Sequence, residues 1–281
     1  MGLIEESAMS QETLPAAGSQ RRFNNINWLG LWTLYLKEVR RFVKVGTQTV
    51  GAPVANALLF LAIFSLAFGA GARPDVDGLP FVTFLCPGLI MMTMLTNSFA
   101  NTSSSLMISK IQGNIVDVLM PPLSAMELNI GFALAGVTRG VVVGLVTGLG
   151  MWVFVGDSIS VYNIAALIFY AVSASLMLSL LGILTGIWAE KFDHLQAITN
   201  FVITPMAFLS GTFYAVRNLP DLAYSITQFN PFFYLIDGFR FAMTGRADGS
   251  IMTGVITITA INIVLWFVSD HVLRRGYRLK A

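Results

Sequence analysis

Cysteine is almost missing from this sequence. Cys86 is the only one in 281 residues, so no disulfide can form within the chain and no redox compartment is implied. Histidine is nearly as scarce. His194 and His271 lie far apart and have no cysteine partners, which argues against a zinc site. None of the lysines follows a glycine, so the Gly-Lys end of a phosphate-binding loop cannot be formed. Charge is scarce too. Only 11% of residues are charged, against about 25% in soluble domains. What is abundant is apolar: 55% of the chain is hydrophobic, which places it among integral membrane proteins.

A helix needs about 20 apolar residues to cross the hydrocarbon core. Six stretches qualify, roughly 50–69, 81–105, 128–155, 161–188, 195–216 and 251–270. The loops between them separate by charge. Arg21, Arg22, Lys37, Arg40, Arg41, Lys44, Lys110, Lys191, Arg274, Arg275, Arg278 and Lys280 fall on one side, and Arg73, Arg217, Arg240 and Arg246 on the other. The positive-inside rule then puts both termini in the cytoplasm. Residues 1–25 are polar, carry Glu5, Glu6 and Glu12, lack the order of a signal peptide, and read as a disordered cytoplasmic tail. Residues 26–281 read as one membrane domain.

Before the first span, residues 27–45 show helical periodicity. Trp28, Trp32, Tyr35, Val39 and Phe42 repeat at spacings of three and four, with Lys37, Arg40, Arg41 and Lys44 largely opposite. Such a helix is expected to lie in the cytoplasmic interface, as an anchor or as an elbow that passes force to the first span. After span two, Ile111, Ile115, Val118 and Leu119 share one helical face until Pro121 and Pro122 stop it. This short helix either rests on the membrane or docks on a soluble partner. Ile111, Gln112, Ile115, Asp117, Val118 and Leu119 are the candidates for such coupling.

Polar residues inside spans avoid lipid. Thr93, Asn97, Asn101 and Ser105 repeat every four residues in span two, as do Gln196, Asn200 and Thr204 in span five. Two readings stand, interhelical hydrogen bonding and a substrate path, the path candidates being Asn97, Asn101, Asn200, Thr204 and Phe208. Gly136, Gly140, Gly144 and Gly148 in span three read as a close-packing stripe. Arg139 beside them is expected to snorkel to the interface or to pair with Glu127 or Glu190.

About 35 residues separate spans five and six, too polar for a span and too apolar for a loop. Pro220 and Pro231 suit first helical turns and Asn230 suits a cap, which predicts short helices over roughly 220–228 and 231–244. They are expected to dip into the outer leaflet and return, a re-entrant gate in which Asp237 and Arg240, three apart, pair on one face. Tyr214, Pro220, Asn230, Pro231, Asp237 and Arg240 are its candidate residues.

The ordered run "FLSGTFYAVRNLP…FNPFFYLIDGFRFAMTG" resembles the signature of type-2 ABC exporter permeases, relatives of nodulation-factor, daunorubicin-type drug and polysaccharide exporters. The likeness covers most of the chain and includes Ser210-Gly211, Leu219-Pro220, Asn230-Pro231 and Arg240. One departure is Ala215-Val216, where many relatives carry a proline. The resemblance implies an all-α inner-membrane protein with six transmembrane helices, an interfacial N-terminal helix and an external re-entrant hairpin. It implies a permease dimer, expected as a homodimer, bound to two cytoplasmic ABC ATPase subunits. ATP and Mg would belong to those subunits. This chain is expected to bind no cofactor and no nucleic acid, to touch membrane lipid, and to catalyse nothing itself. The implied cargo is lipid-like, glycan or drug-like, and spans one, two and five would border its path. The rival is a stand-alone secondary transporter, which would need an ion-coupling site, usually acidic residues or broken helices near the midplane; no carboxylate lies at mid-depth of the six expected spans.

Overall fold

Backbone amides in a bilayer must be satisfied within their own segment, and this chain does so with helices. A computed structural model describes residues 26–68, 76, 78–115, 117, 122–156 and 159–276. Among them there is no β-strand, only a bridge between Val76 and Leu79. The expected tail, residues 1–25, lies outside the described residues.

The helix expected before the first span is α1, Trp28–Lys44, capped by the Asn27 side chain, which accepts from the Gly30 amide. A π-helical turn, Thr47–Gly51, leads into α2, Ala52–Phe68. Then follow α3, Phe81–Ile111, α4, Ala125–Val155, and α5, Ile164–Trp188. With α10, Ile251–Arg275, these give five single helices long and apolar enough to cross a membrane. The sixth expected stretch, 195–216, is a broken helical run. It comprises α6, Phe192–Ile198, a π-helical segment Thr199–Ile203, α7, Thr204–Ala207, and a second π-helical segment Phe208–Thr212. At 1.5 Å per residue the run reaches about 30 Å, the thickness of a hydrocarbon core. A short 3₁₀ turn, Val216–Asn218, leads to α8, Asp221–Gln228, and α9, Pro231–Thr244. Both short helices agree with their expected bounds to within a residue. Pro231 opens α9, and the Asn230 side chain caps it by accepting from the Phe232 amide.

Helix α3 sits at the centre, packed against α4, α5, α2 and α9. The glycine stripe of α4 explains how closely. A Cβ at Gly136 would meet the Ser179 hydroxyl, at Gly140 the Ser98 hydroxyl, and at Gly144 the Met94 side chain at 2.5 Å. The stripe therefore packs α4 onto α3 and α5, as its spacing predicts. Thr102 Oγ1 donates to the Ser179 carbonyl at 2.9 Å and holds α3 to α5. Lys110 Nζ reaches the carbonyls of Ile187 at 2.8 Å and Ala189, closing the end of α5 where a cation complements the helix dipole.

One apolar cluster gathers Leu34, Leu106, Ile115, Leu128, Ile187 and Leu273. The helix ends that carry Lys110, Lys191 and Arg274 thus meet at one end of the bundle. The Glu127 carboxylate ties this end together. One oxygen accepts from the Ser124 amide at 2.6 Å and hydroxyl at 2.8 Å, completing a capping box, and the other accepts from the Asn27 amide. Glu127 is therefore not the partner of Arg139.

The buried side of α1 is Leu31, Leu34, Glu38 and Phe42, set against α4, while Trp28 and Trp32 are exposed. Only Phe42 of the expected aromatic face is buried. Arg41, placed among the water-facing bases by periodicity, turns inward instead. It pairs with Glu38 at 3.1 Å and donates to the Asn101 carbonyl at 2.8 Å and to Asn101 Oδ1 at 3.1 Å.

Candidate functional site

Three of the five path candidates converge. Asn97, Thr204 and Phe208 line a groove of about 620 Å³ between α2, α3 and the broken run, together with Gln48, Asn56, Phe60, Thr93 and Thr96. Among the described residues no charged side chain lines it. The break in the fifth segment shapes one wall, because the π turns that flank α7 shift the register of Thr204 and Phe208. Asn101 is not in the groove, since Arg41 holds it at the α1–α3 contact. Asn200 is exposed and also outside it. Gln48 and Asn56 were missed by the sequence reading. A period-four search finds stripes, and α2 offers only isolated amides.

Asn97 has no spare polar atom. Its Nδ2 donates to the Thr93 carbonyl and its Oδ1 accepts from Arg139 Nη2, both at 2.9 Å. Arg139 therefore neither snorkels nor pairs with Glu127 or Glu190. It stays buried near the midpoint of α4, and Asn97 is near the midpoint of α3.

The other end of the bundle is closed by a hydrogen-bond knot that joins the pieces of the sequence signature. At Gly211 the backbone turns left-handed, φ +80°, and ends the broken run. A side chain there would be strained by that φ, and its Cβ would press on Val216 at 2.6 Å. Arg240 donates to the freed Gly211 carbonyl at 2.5 Å and stands 4.0 Å over the Phe84 ring. Asn230 donates to the Met206 carbonyl at 2.9 Å and to the Ser210 hydroxyl at 2.7 Å. Asp237 accepts from the amides of Asp248 at 2.8 Å and Gly249 at 2.9 Å. Asp248 in turn accepts from the Val216 amide at 2.7 Å and pairs with Arg217 at 3.5 Å.

The expected pair of Asp237 and Arg240 is not made. The two share a helix, but the loop after α9 supplies amides to the acid, and the broken run supplies a carbonyl to the base. Phe84 and Asp248 are part of the knot and were missed. Nothing in the "GRADGS" run marks Asp248 as a bridge. Tyr214 donates to the Leu209 carbonyl at 2.9 Å, and Pro220 is exposed just before α8.

The loop after α3 departs from expectation. Gln112 to Asn114 form a turn, with Gly113 left-handed at φ +72°, so Ile111 and Ile115 do not share a face. Ile111 is exposed and ends α3, whereas Ile115 is buried in the cluster that joins α1, α3, α4, α5 and α10. Gln112 and Asp117 are exposed. Val118 and Leu119 lie outside the described residues.

The chain is similar to known proteins over most of its length. The family model described as ABC-2 type transporter matches residues 30–244, from α1 through the end of α9. The inner membrane transport permease YadH of Escherichia coli strain K12 is 31% identical over 258 residues, covering 92% of this chain and 99% of its own length. Nodulation protein J of Rhizobium leguminosarum bv. viciae is 26% identical over 278 residues, covering 95% and 98%. Nodulation protein J of Rhizobium meliloti strain 1021 is 26% identical over 255 residues. With a match across most of its length and a relative this similar end to end, the chain belongs to the ABC-2 type transporter family.

Proposed function

We propose that this chain is the permease subunit of an ATP-driven exporter in the cytoplasmic (inner) membrane, and that the groove between α2, α3 and the broken run is part of its substrate path. One observation carries the path reading: residues distant in sequence, Gln48, Asn97, Thr204 and Phe208, line one space of ligand size in a family of transporters. The fifth segment supports it, because an interrupted helix can line a cavity that a straight one would fill. ATP is hydrolysed by a separate cytoplasmic subunit, present twice on a dimer of permease chains. The turn at Gln112 to Asn114, with exposed Asp117 beyond it, is the contact for that subunit. Ile115 supports this, since its burial among α1, α3, α4, α5 and α10 lets a push on the loop reach the whole end of the bundle. The cargo is an amphiphile that leaves along the groove.

The test uses the single cysteine to advantage. With buried Cys86 changed to Ala, Asn56→Cys and Thr204→Cys each place one thiol in the groove. The tagged chain is first expected to retain a soluble ATPase on purification. In that complex, maleimide is expected to modify both thiols at rates that change when ATP and vanadate trap the ATPase. Equal rates in both states would overturn the path reading. Purification without any ATPase would overturn the energy source.

A further inference from the structure

Among the described residues, Arg139 is a charge without a counter-charge. It lies halfway along a 31-residue helix that crosses the membrane, and it is only 8% exposed. Its one bonded partner is the neutral amide of Asn97, and its buried Nε has none. Among the described residues no carboxylate pairs with it. The acid of the neighbouring cluster, Glu38, pairs with Arg41, which itself repels Arg139. An unpaired guanidinium at such depth is among the costliest groups a membrane protein can carry, and such residues mark substrate or ion pathways. Asn97 connects it to a space. The amide that receives Arg139 also lines the groove, and among the described residues no charged side chain lines its walls.

We propose that Arg139, reached through Asn97, is the recognition site for an oxyanion headgroup on the transported amphiphile. The inference rests on the groove being the substrate path. In the empty groove, Asn97 Oδ1 occupies the guanidinium as a neutral stand-in. An entering phosphate or carboxylate takes its place on Nη2, forming a charge-assisted hydrogen bond and supplying the missing counter-charge. Asn97, released by rotation of its amide, offers Nδ2 to the same oxyanion. The donors at this point are cationic or neutral, so a cationic headgroup finds only repulsion. A neutral headgroup gains nothing that the amide does not already provide.

The experiment uses the permease with its ATPase in nanodiscs of phosphatidylcholine. Binding of dodecyl phosphate, dodecyl maltoside, dodecyltrimethylammonium and inorganic phosphate is measured. Dodecyl phosphate is expected to bind about tenfold tighter than the other amphiphiles, the scale of one charge-assisted bond. Arg139→Gln is expected to remove that preference. Should that variant fail to accumulate, Asn97→Asp serves instead. It gives Arg139 a built-in counter-charge, so it is expected to fold and to bind all three amphiphiles alike. Equal affinities in the unaltered protein, or a phosphate preference that survives Asn97→Asp, would overturn the proposal. So would inorganic phosphate binding as tightly as dodecyl phosphate, which would assign the site to a free anion. Thr204→Trp separates the two readings. If it weakens all amphiphiles while no charge preference exists, the groove stands and the oxyanion site falls. If it changes nothing while the Arg139-dependent preference persists, an oxyanion site remains at Arg139, but the groove reading falls and takes with it the claim that the bound amphiphile is the transported one.

Discussion

Helices α2 and α3 are neighbours that obey opposite rules. In the most apolar stretch of α3, 78% of residues are buried by protein, against 11% for α2. Yet α3 is the less apolar of the two, and the least apolar of the five single spans. In water the reverse would hold, since burial there follows hydrophobicity. In a bilayer, lipid accepts apolar side chains as readily as the protein interior does, so polarity marks the inside. The hydroxyls and amides of α3 find carbonyls, arginines and hydroxyls on α1, α4 and α5. Helix α2 instead presents Leu59, Ile63 and Leu66 outward.

The strongest way to break this contrast is to add volume to each region. Gly140→Val puts a side chain against Ser98 and Ser175 and is expected to cost about 3 kcal/mol or more, seen as lost accumulation in the membrane. Gly51→Ala, at a position with nothing within 4 Å of its Cβ, is expected to leave accumulation unchanged. Comparable losses at both positions would end the distinction between a packed centre and an open rim.

A smaller effect tests the knot at the far end. Arg240→Met leaves the Gly211 carbonyl without its donor and removes the cation from Phe84, an expected loss of about 2–4 kcal/mol in thermal or denaturant unfolding. Because Asp237 and Arg240 bond different partners, the double exchange Asp237→Arg with Arg240→Glu is expected to recover little of the loss of either single change. Substantial recovery in a double-mutant cycle would restore the direct pair that the sequence suggests.

Glu127→Gln is expected to cost about 1 kcal/mol, the scale of a helix cap, because the amide keeps the acceptor on one side only. Least of all, Leu66→Ala on α2, 87% exposed, is expected to stay within about 0.5 kcal/mol of the parent. A larger cost in the isolated chain would show that this face is covered.

These outcomes also separate what was legible from what was not. The interfacial helix, the two short helices and five spans can be read from the sequence because caps, prolines and long apolar runs act locally. The capping box at Ser124 and Glu127 was equally local and went unread. The partners of Arg41, Asp237 and Arg240 were not legible. Spacing along a helix says which side chains share a face, but the acceptor that wins belongs to another segment. The same holds for Ile111 and Ile115, where periodicity ran across a turn that Gly113 permits. The groove was half legible: a stripe gives one wall, and no pattern in α2 announces the wall opposite.

The Lys110 cap on α5 has a consequence in time rather than in space. Bolted there, and held along their length at Thr102 and Ser179, α3 and α5 must open together if they open at all. Their amides should therefore be the last in the chain to exchange with deuterium, on the timescale of global unfolding. Among the described residues the π-helical segment Thr199–Ile203 shows no such tie to another helix, and its amides should exchange first among the membrane helices. A protein wired this way keeps a slow clock and a fast one side by side.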